Sequence, residues 1–108
     1  MALPEGGKDR RHHERVPLHC QVQLRREGRL APIRAETRDV SSGGFYCLSN
    51  EPVRSNEILT CDLIFPESHS HKKGIRVTLH CTVEILRVEE QTPNFGVACQ
   101  IHDYSVEH

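Results

Sequence analysis

The residues best suited to chemistry begin with three arginines near the start of the chain. The stretch 9-DRRHHER-15 contains Arg10, Arg11 and Arg15, and the last two are four residues apart. A guanidinium group is a planar fork of donors that binds phosphate oxygens or the O6/N7 edge of guanine bidentately, and its flat face stacks on bases. This cluster predicts a local anion site, although mixed charges near a terminus are also typical of a solvated tail.

A second polar stretch, 39-DVSSGGF-45, has the composition of a tight turn. Asp39 and Ser41 can bond nearby backbone N–H groups, and Gly43 and Gly44 permit positive φ. In a binding site the same residues have other roles. The Asp39 carboxylate would accept from the N1–H and N2–H groups of a guanine, the Ser41 hydroxyl would meet a phosphate, and Gly44 would allow close backbone approach. Taken alone, this stretch is an ordinary turn.

Eight histidines and five cysteines raise the questions of a metal site and of a thiol nucleophile. The imidazoles of 12-HH-13 and 69-HSH-71 could bind a metal, but no second pair lies at a recognised ligand spacing, so we predict none. His80 and Cys81 are adjacent in sequence, and neighbours on a strand point to opposite faces, which argues against a catalytic pair. We expect His19 and His80, on the polar faces of strands, to meet solvent.

The elements that must position these residues appear as alternation of apolar and polar residues, the period of a strand with one buried face. Glycine, proline and polar clusters separate the alternating segments, and no segment of helical length shows the i, i+3, i+4 apolar spacing. Short strands joined by loops predict a single antiparallel sheet, curled into a small barrel or packed as a sandwich. The predicted strands cover residues 16–24, 33–37, 45–48, 59–65, 75–85 and 95–101.

Length and composition restrict the classes of protein. The chain has 108 residues, of which 36% are hydrophobic, which suits one domain with a modest core. A formal net charge of -1 argues against a protein that binds DNA or RNA through a broad basic face. Any anion site must therefore be local.

The cysteines and the hydropathy of the chain indicate a compartment. The five cysteines are an odd number without a CxxC pair and resemble the reduced core thiols of a cytosolic protein. The first residues contain no apolar signal region, and nowhere do roughly 18 consecutive apolar residues occur. We therefore expect a cytoplasmic protein that does not insert into a membrane.

Taken together, the two polar stretches resemble the signature of the PilZ domain family, small bacterial receptors of cyclic di-GMP. That signature is RxxxR at the N-terminal edge of a barrel, followed further along the chain by [D/N]xSxxG. The interval between the two motifs in the family is similar to the interval in this sequence. Here 11-RHHER-15 matches the first motif and 39-DVSSGG-44 matches the second. The segment 94-NFGVACQI-101 is similar to the closing strand of such domains, so the resemblance covers residues from about 10 to 102.

The resemblance implies a fold and domain limits. It implies a six-stranded antiparallel β-barrel with a flexible N-terminal arginine loop that folds over the ligand on the outer surface. Family members often continue into a C-terminal helix, whereas here we expect little or no helix. The expected organisation is a disordered leader at residues 1–9, a PilZ-like barrel at residues 10–103 and a short tail at residues 104–108.

The resemblance also implies roles for individual residues. Arg11 and Arg15 would grip guanine and phosphate, while Asp39 and Ser41 would hold the other side of the ligand. A basic residue just before the first signature arginine, here Arg10, is associated in the family with two mutually intercalated cyclic di-GMP molecules. The implied ligand-binding residues are Arg10, Arg11, Arg15, Asp39, Ser41, Gly43 and Gly44.

Two functions follow as hypotheses. The first is a second-messenger receptor, not an enzyme and without a cofactor, that passes the signal to an unidentified downstream protein when the N-terminal loop becomes ordered on the ligand. The second is a protein-interaction barrel that has kept the fold without the nucleotide, as some relatives of the family do. The intact RxxxR and DxSxxG motifs favour the receptor, because a barrel that binds no nucleotide would be expected to lose the arginines.

Overall fold

The computed structural model describes residues 15–66 and 76–107, and every regular element within them is a strand. This part of the chain therefore offers no helix of the length and apolarity needed to cross a bilayer. All of the strand pairings are antiparallel. The strands are β1 (Val16–Pro17), β2 (Gln21–Arg25), β3 (Ile33–Ser41), β4 (Gly44–Ser49), β5 (Ile58–Ile64), β6 (Thr78–Gln91) and β7 (Asn94–Glu107).

Six of these strands close into a barrel. The lateral order is β3-β2-β5-β6-β7-β4, and the pairing of β3 with β4 completes the ring. The short strand β1 pairs only with β3 and lies outside the ring. The structure thus confirms the predicted six-stranded antiparallel barrel and adds one strand to it. Closure is favourable because it leaves few unpaired backbone groups at sheet edges.

The alternating apolar residues fill the interior of the barrel, as their period of two predicts. All five cysteines belong to this interior and none forms a disulfide. Each barrel strand contributes inward side chains, and the largest fully buried one is Phe45. The core residues include Cys20, Val22, Leu24, Ile33, Phe45, Cys47, Leu59, Cys61, Leu63, Cys81, Val83, Ile85, Val97 and Cys99.

The first predicted strand, residues 16–24, is wrong as a continuous element. The chain forms β1, leaves the ladder for three residues and resumes as β2. Pro17 pairs with Asp39 and Gln21 pairs with Glu36, so three intervening residues on one strand face two on the other. As a result Val16, which the alternation places in the core, is 50% exposed.

A buried hydroxyl explains this interruption. The Thr37 Oγ1 accepts a hydrogen bond from the Cys20 N–H at 2.7 Å and donates one to the Leu18 carbonyl. Thr37 is fully buried, so these two bonds satisfy backbone groups that the irregular segment cannot pair within the ladder. The Thr37 side chain on β3 thus replaces the missing hydrogen bonds of the ladder.

The hairpin of β6 and β7 is longer than its apolar pattern indicates. β6 continues six residues past Ile85, and β7 continues to Glu107, so most of the expected tail at 104–108 is strand. The predicted turn between the two strands is present, and its Thr92–Pro93 peptide is cis. The extra length adds strand pairs whose side chains are largely exposed, which explains why no apolar alternation marks it.

His80 is exposed, as expected, and also joins an ion cluster on the outer wall. Its Nδ1 lies 2.7 Å from Asp62 Oδ1, and its Nε2 lies 2.5 Å from Glu107 Oε1. Arg25 donates to the second Asp62 oxygen at 2.7 Å. The Glu107 and Asp62 carboxylates raise the pKa of His80. The cluster links four neighbouring strands, because its members lie on β2, β5, β6 and β7.

The role of Thr37 can be tested with Thr37→Val, which keeps the shape of the side chain and removes the hydroxyl. We expect a loss of about 1–3 kcal/mol in the free energy of unfolding, because a buried N–H and a carbonyl lose their partner. Urea denaturation measures this loss. Thr60→Val on the exposed face of β5 is the matched control and should change stability by no more than about 0.5 kcal/mol. Equal effects of the two changes would contradict the proposed role.

Candidate functional site

The second polar motif forms the tight hairpin between β3 and β4. Ser41 pairs with Gly44 to close the hairpin. The Ser41 Oγ accepts a hydrogen bond from the Gly43 N–H at 3.3 Å and donates to the Gly44 carbonyl at 3.2 Å. The serine therefore stabilises the turn from within, as short polar residues commonly do.

Gly44 of this hairpin allows two strands to pack closely. The positive φ values among the described residues are at Gly28 and Asn56, so neither Gly43 nor Gly44 uses the positive φ that glycine permits. Gly44 is required because a Cβ there would lie 2.1 Å from the Cys99 carbonyl oxygen. The close approach that Gly44 allows is therefore that of β4 to β7.

A backbone hydrogen bond adds a second attachment of the hairpin to β7. The Gly43 carbonyl accepts from the Ile101 N–H at 2.9 Å. Together with the packing of Gly44 against Cys99, this bond holds the tip of the hairpin against the barrel wall. Asp39 and Ser41 thus lie on or beside a hairpin that is attached to β7.

Arg15 lies directly beside this hairpin. The pairing of β1 with β3 places Val16 opposite Val40, near the end of β3. Arg15 directly precedes Val16, so its backbone lies close to the hairpin. The Arg15 Nη1 donates to Asp39 Oδ1. The Arg15 side chain is 58% exposed and that of Asp39 31%, so this ion pair contributes little to stability. It does hold a guanidinium fork next to a carboxylate that can accept further hydrogen bonds.

The structure thus brings residues of both motifs together on one part of the outer wall. Arg10 and Arg11 lie outside the described residues, so their expected roles stay predictions. The predicted site residues that the structure places together are Arg15, Asp39, Ser41, Gly43 and Gly44.

Sequence reasoning missed one residue of this surface, Tyr46. It pairs directly with Asp39 across the ladder, and opposed residues of an antiparallel pair share a face. The Tyr46 hydroxyl donates to Glu89 Oε1 at 2.9 Å and accepts from Gln91 Nε2 at 2.9 Å. Its ring ends above Gly96, where a Cβ would lie 1.9 Å from the hydroxyl oxygen. Burial and the Glu89 carboxylate raise the pKa of this phenol.

The signal for Tyr46 was present in the alternation of β4. Phe45 and Cys47 are both buried, so the residue between them must point outwards. What the sequence does not contain is the identity of the neighbour across the ladder. An outward tyrosine became part of the site only when strand pairing placed it opposite Asp39.

The thiols have a different environment. A hydrogen bond with the Cys81 thiol and burial raise the pKa of Cys61, and the Cys47 thiol and burial raise that of Cys99. The Cys61 and Cys99 thiols therefore stay protonated near neutral pH and are poor nucleophiles. Residues 15–66 and 76–107 contain no group of three or more histidine, cysteine, aspartate or glutamate side chains placed so that they could hold a metal ion. The histidines at 12–13 and 69–71 lie outside these ranges.

The outer wall at the hairpin therefore has the chemistry of a binding site for a polar, anionic molecule with hydrogen-bond donors. Arg15 supplies a charged fork, Asp39 supplies acceptors, and Tyr46 supplies an aromatic ring beside them. A guanine nucleotide matches this set, because guanine carries acceptors at O6 and N7 and a donor at N2, and phosphates carry negative charge.

Comparison with known proteins identifies a family. The family model of the PilZ domain matches residues 9–108, which is nearly the whole chain and includes both polar motifs. No curated protein matches the chain.

The close packing at Gly44 predicts which of two glycine substitutions lowers the free energy of unfolding more. Gly44→Ala should lower the free energy of unfolding by about 3 kcal/mol, because the new methyl overlaps a backbone carbonyl that cannot move alone. Gly96→Ala should cost only about 1 kcal/mol, since Tyr46 can turn away and give up hydrogen bonds at the surface. Urea denaturation of both variants measures the difference, and a larger loss for Gly96→Ala would refute the ranking.

Proposed function

Because the chain belongs to the PilZ domain family, we propose that this protein is a bacterial receptor for cyclic di-GMP. PilZ domains are generally cyclic di-GMP receptors, and the family is one of binding domains rather than of catalysts. The observation that carries the proposal is the contact of Arg15 with Asp39 beside the Ser41 hairpin. It joins the two motifs, which are far apart in sequence, on one surface.

The pair of Arg15 and Asp39 suits a guanine in particular. The carboxylate would accept from the N1–H and N2–H groups of the base, and the guanidinium would donate to O6 and N7 or to a phosphate. A guanine could therefore replace the direct contact between the two side chains without leaving either charge unpaired. Adenine carries an amino group in place of O6 and no N1–H, so it would leave both side chains less well satisfied.

The remaining signature residues complete the proposed site. Ser41 would redirect its hydroxyl hydrogen from the Gly44 carbonyl to a phosphate, and Gly43 and Gly44 hold the turn that carries Ser41. Arg11 would bind from the side opposite Asp39. Arg10 would allow a second, intercalated cyclic di-GMP molecule to bind.

The proposed output is ordering of the N-terminal arginine loop on the ligand, which an unidentified downstream protein would detect. We propose that this occurs in the bacterial cytoplasm, because all five cysteines are free and buried, as is usual in a reducing compartment. The net charge of -1 supports a small anionic ligand rather than DNA or RNA as the partner.

Calorimetric titration with cyclic di-GMP tests the proposal. The unmutated domain should bind, and Arg15→Ala should bind about 10- to 100-fold more weakly, because it loses charge-assisted hydrogen bonds to the ligand. Arg25→Ala is the matched control, since Arg25 also forms an exposed pair with an aspartate but lies on another part of the wall. Its affinity should equal that of the unmutated domain.

The same titration separates the two hypotheses for the function. Thermal unfolding of each variant checks that the barrel remains folded, and both exposed ion pairs should affect it little. Absence of binding by the folded, unmutated domain would favour a protein-interaction barrel over a receptor. Equal affinities of Arg15→Ala and the unmutated domain would remove Arg15 from the site.

Selectivity tests the role of Asp39. The unmutated domain should prefer cyclic di-GMP to cyclic di-AMP, and Asp39→Ala should reduce this ratio by about tenfold, because the acceptor for the guanine donors is lost. The ratio is the useful quantity, since Asp39→Ala also releases Arg15 and weakens both ligands. Glu36→Ala, another exposed carboxylate on β3, is the control and should keep the ratio. An unchanged ratio in Asp39→Ala would disprove base recognition by this carboxylate.

A further inference from the structure

A row of outward side chains continues from the candidate site across the barrel wall. Asp39 on β3 pairs with Tyr46 on β4, Tyr46 pairs with Ala98 on β7, and Ala98 pairs with Arg87 on β6. Directly opposed residues share a face, so all four positions belong to the outer surface. Neighbouring strands are about 4.8 Å apart, and the row therefore spans about 14 Å. A dinucleotide lying along it would extend from Asp39 towards Arg87.

The row has a β-bulge at each end. On β3 the register shifts between Thr37 and Asp39, which makes Arg38 the extra residue. On β6 it shifts between Ile85 and Arg87. Bulges redirect side chains and occur more often next to functional sites than elsewhere in sheets. Here each bulge contains or immediately precedes an exposed arginine, and the two arginines flank the same row.

The middle of the row consists of residues that can face a flat ligand. The hydrogen bonds of Tyr46 with Glu89 and Gln91 orient its ring along the outer wall. Ala98, which lies between Tyr46 and Arg87, has a short side chain and is 7% exposed, so the larger Tyr46 ring provides the surface in the middle of the row. An aromatic ring beside a small residue is a suitable surface for a purine base.

The charges along the row favour an anion. Arg38 and Arg87 both act on the Tyr46 phenol and oppose the rise in its pKa that burial and Glu89 produce, so both guanidinium charges lie near the ring. Arg87 donates to Glu89 at 3.0 Å, but the two side chains are 61% and 45% exposed. An exposed pair of this kind is weak and can be exchanged for a phosphate at little cost.

We propose that Arg38 and Arg87 are further ligand-binding residues, which extend the nucleotide site from the two sequence motifs across β4 and β7 to β6. This inference rests on the proposed function and deepens it. Cyclic di-GMP has two phosphates, and Arg15 stands near one end of the row while Arg87 stands at the other. Arg87 binds the phosphate distant from Asp39, and Arg38 binds the phosphate or guanine edge nearest to the β3 bulge.

The experiment compares arginine variants by calorimetric titration with cyclic di-GMP. Arg38→Gln and Arg87→Gln keep a polar side chain and remove the charge, and each should weaken binding by about tenfold. Arg34→Gln is the matched control, because Arg34 is an exposed arginine on β3 about 13 Å from Arg38 along the strand. It should leave the affinity unchanged. Thermal unfolding should be the same for all three variants.

A conservative variant distinguishes ligand contact from an indirect effect. Arg87→Lys keeps a positive charge but loses the planar fork, so it should recover part of the affinity that Arg87→Gln loses. If Arg87→Lys binds no better than Arg87→Gln, a direct phosphate contact by Arg87 is wrong.

The outcomes separate this inference from the proposed function. If the double variant of Arg38→Gln and Arg87→Gln binds as tightly as the unmutated domain while Arg15→Ala loses affinity, the extended site is wrong and the receptor function stands. If the unmutated domain does not bind at all, both proposals fail. A combined loss in the double variant with an unchanged Arg34→Gln supports the extended site.

Discussion

The structure depends on the close approach of β4 to β7 at Gly44. A side chain at this position would collide with the Cys99 carbonyl, and the pairing of β4 with β3 is the one that closes the barrel. The adjacent Gly43 carbonyl fixes the same hairpin to Ile101. Because Ser41 braces the turn from within, the second motif is first of all a structural device for closing the barrel. A role of this motif in ligand binding would be additional to its structural role.

This arrangement combines a rigid surface with a less strongly held element. Asp39 and Tyr46 lie on strands paired on both sides, whereas β1 is two residues long and pairs with β3 alone. Elements with few contacts open most easily, so we expect β1 to be the part of the described chain that responds first to a change at the site. The contact of Arg15 with Asp39 joins these two parts. A bound molecule at that contact would therefore act on both.

The sequence predicted the barrel strands well and their irregularities poorly. Alternation identified the inward residues of β5, β6 and β7, because side-chain period is a local property of a strand. It failed at residues 16–24, where the buried Thr37 hydroxyl, a residue of another strand, takes over the hydrogen bonds of the ladder. His80 is exposed as expected, but the sequence does not show its partners Asp62 and Glu107, which lie on two neighbouring strands. Both features depend on contacts between strands.

By itself, the sequence determined which residue types are present and which face of a strand each would take, since both depend on the chain within a few residues. It also determined the two motifs whose chemistry suits a guanine nucleotide. Only the tertiary structure decided which side chains are neighbours, because register and bulges between strands fix lateral order. The row from Asp39 through Tyr46 to Arg87 exists for that reason: its members are distant in sequence and meet through three strand pairings.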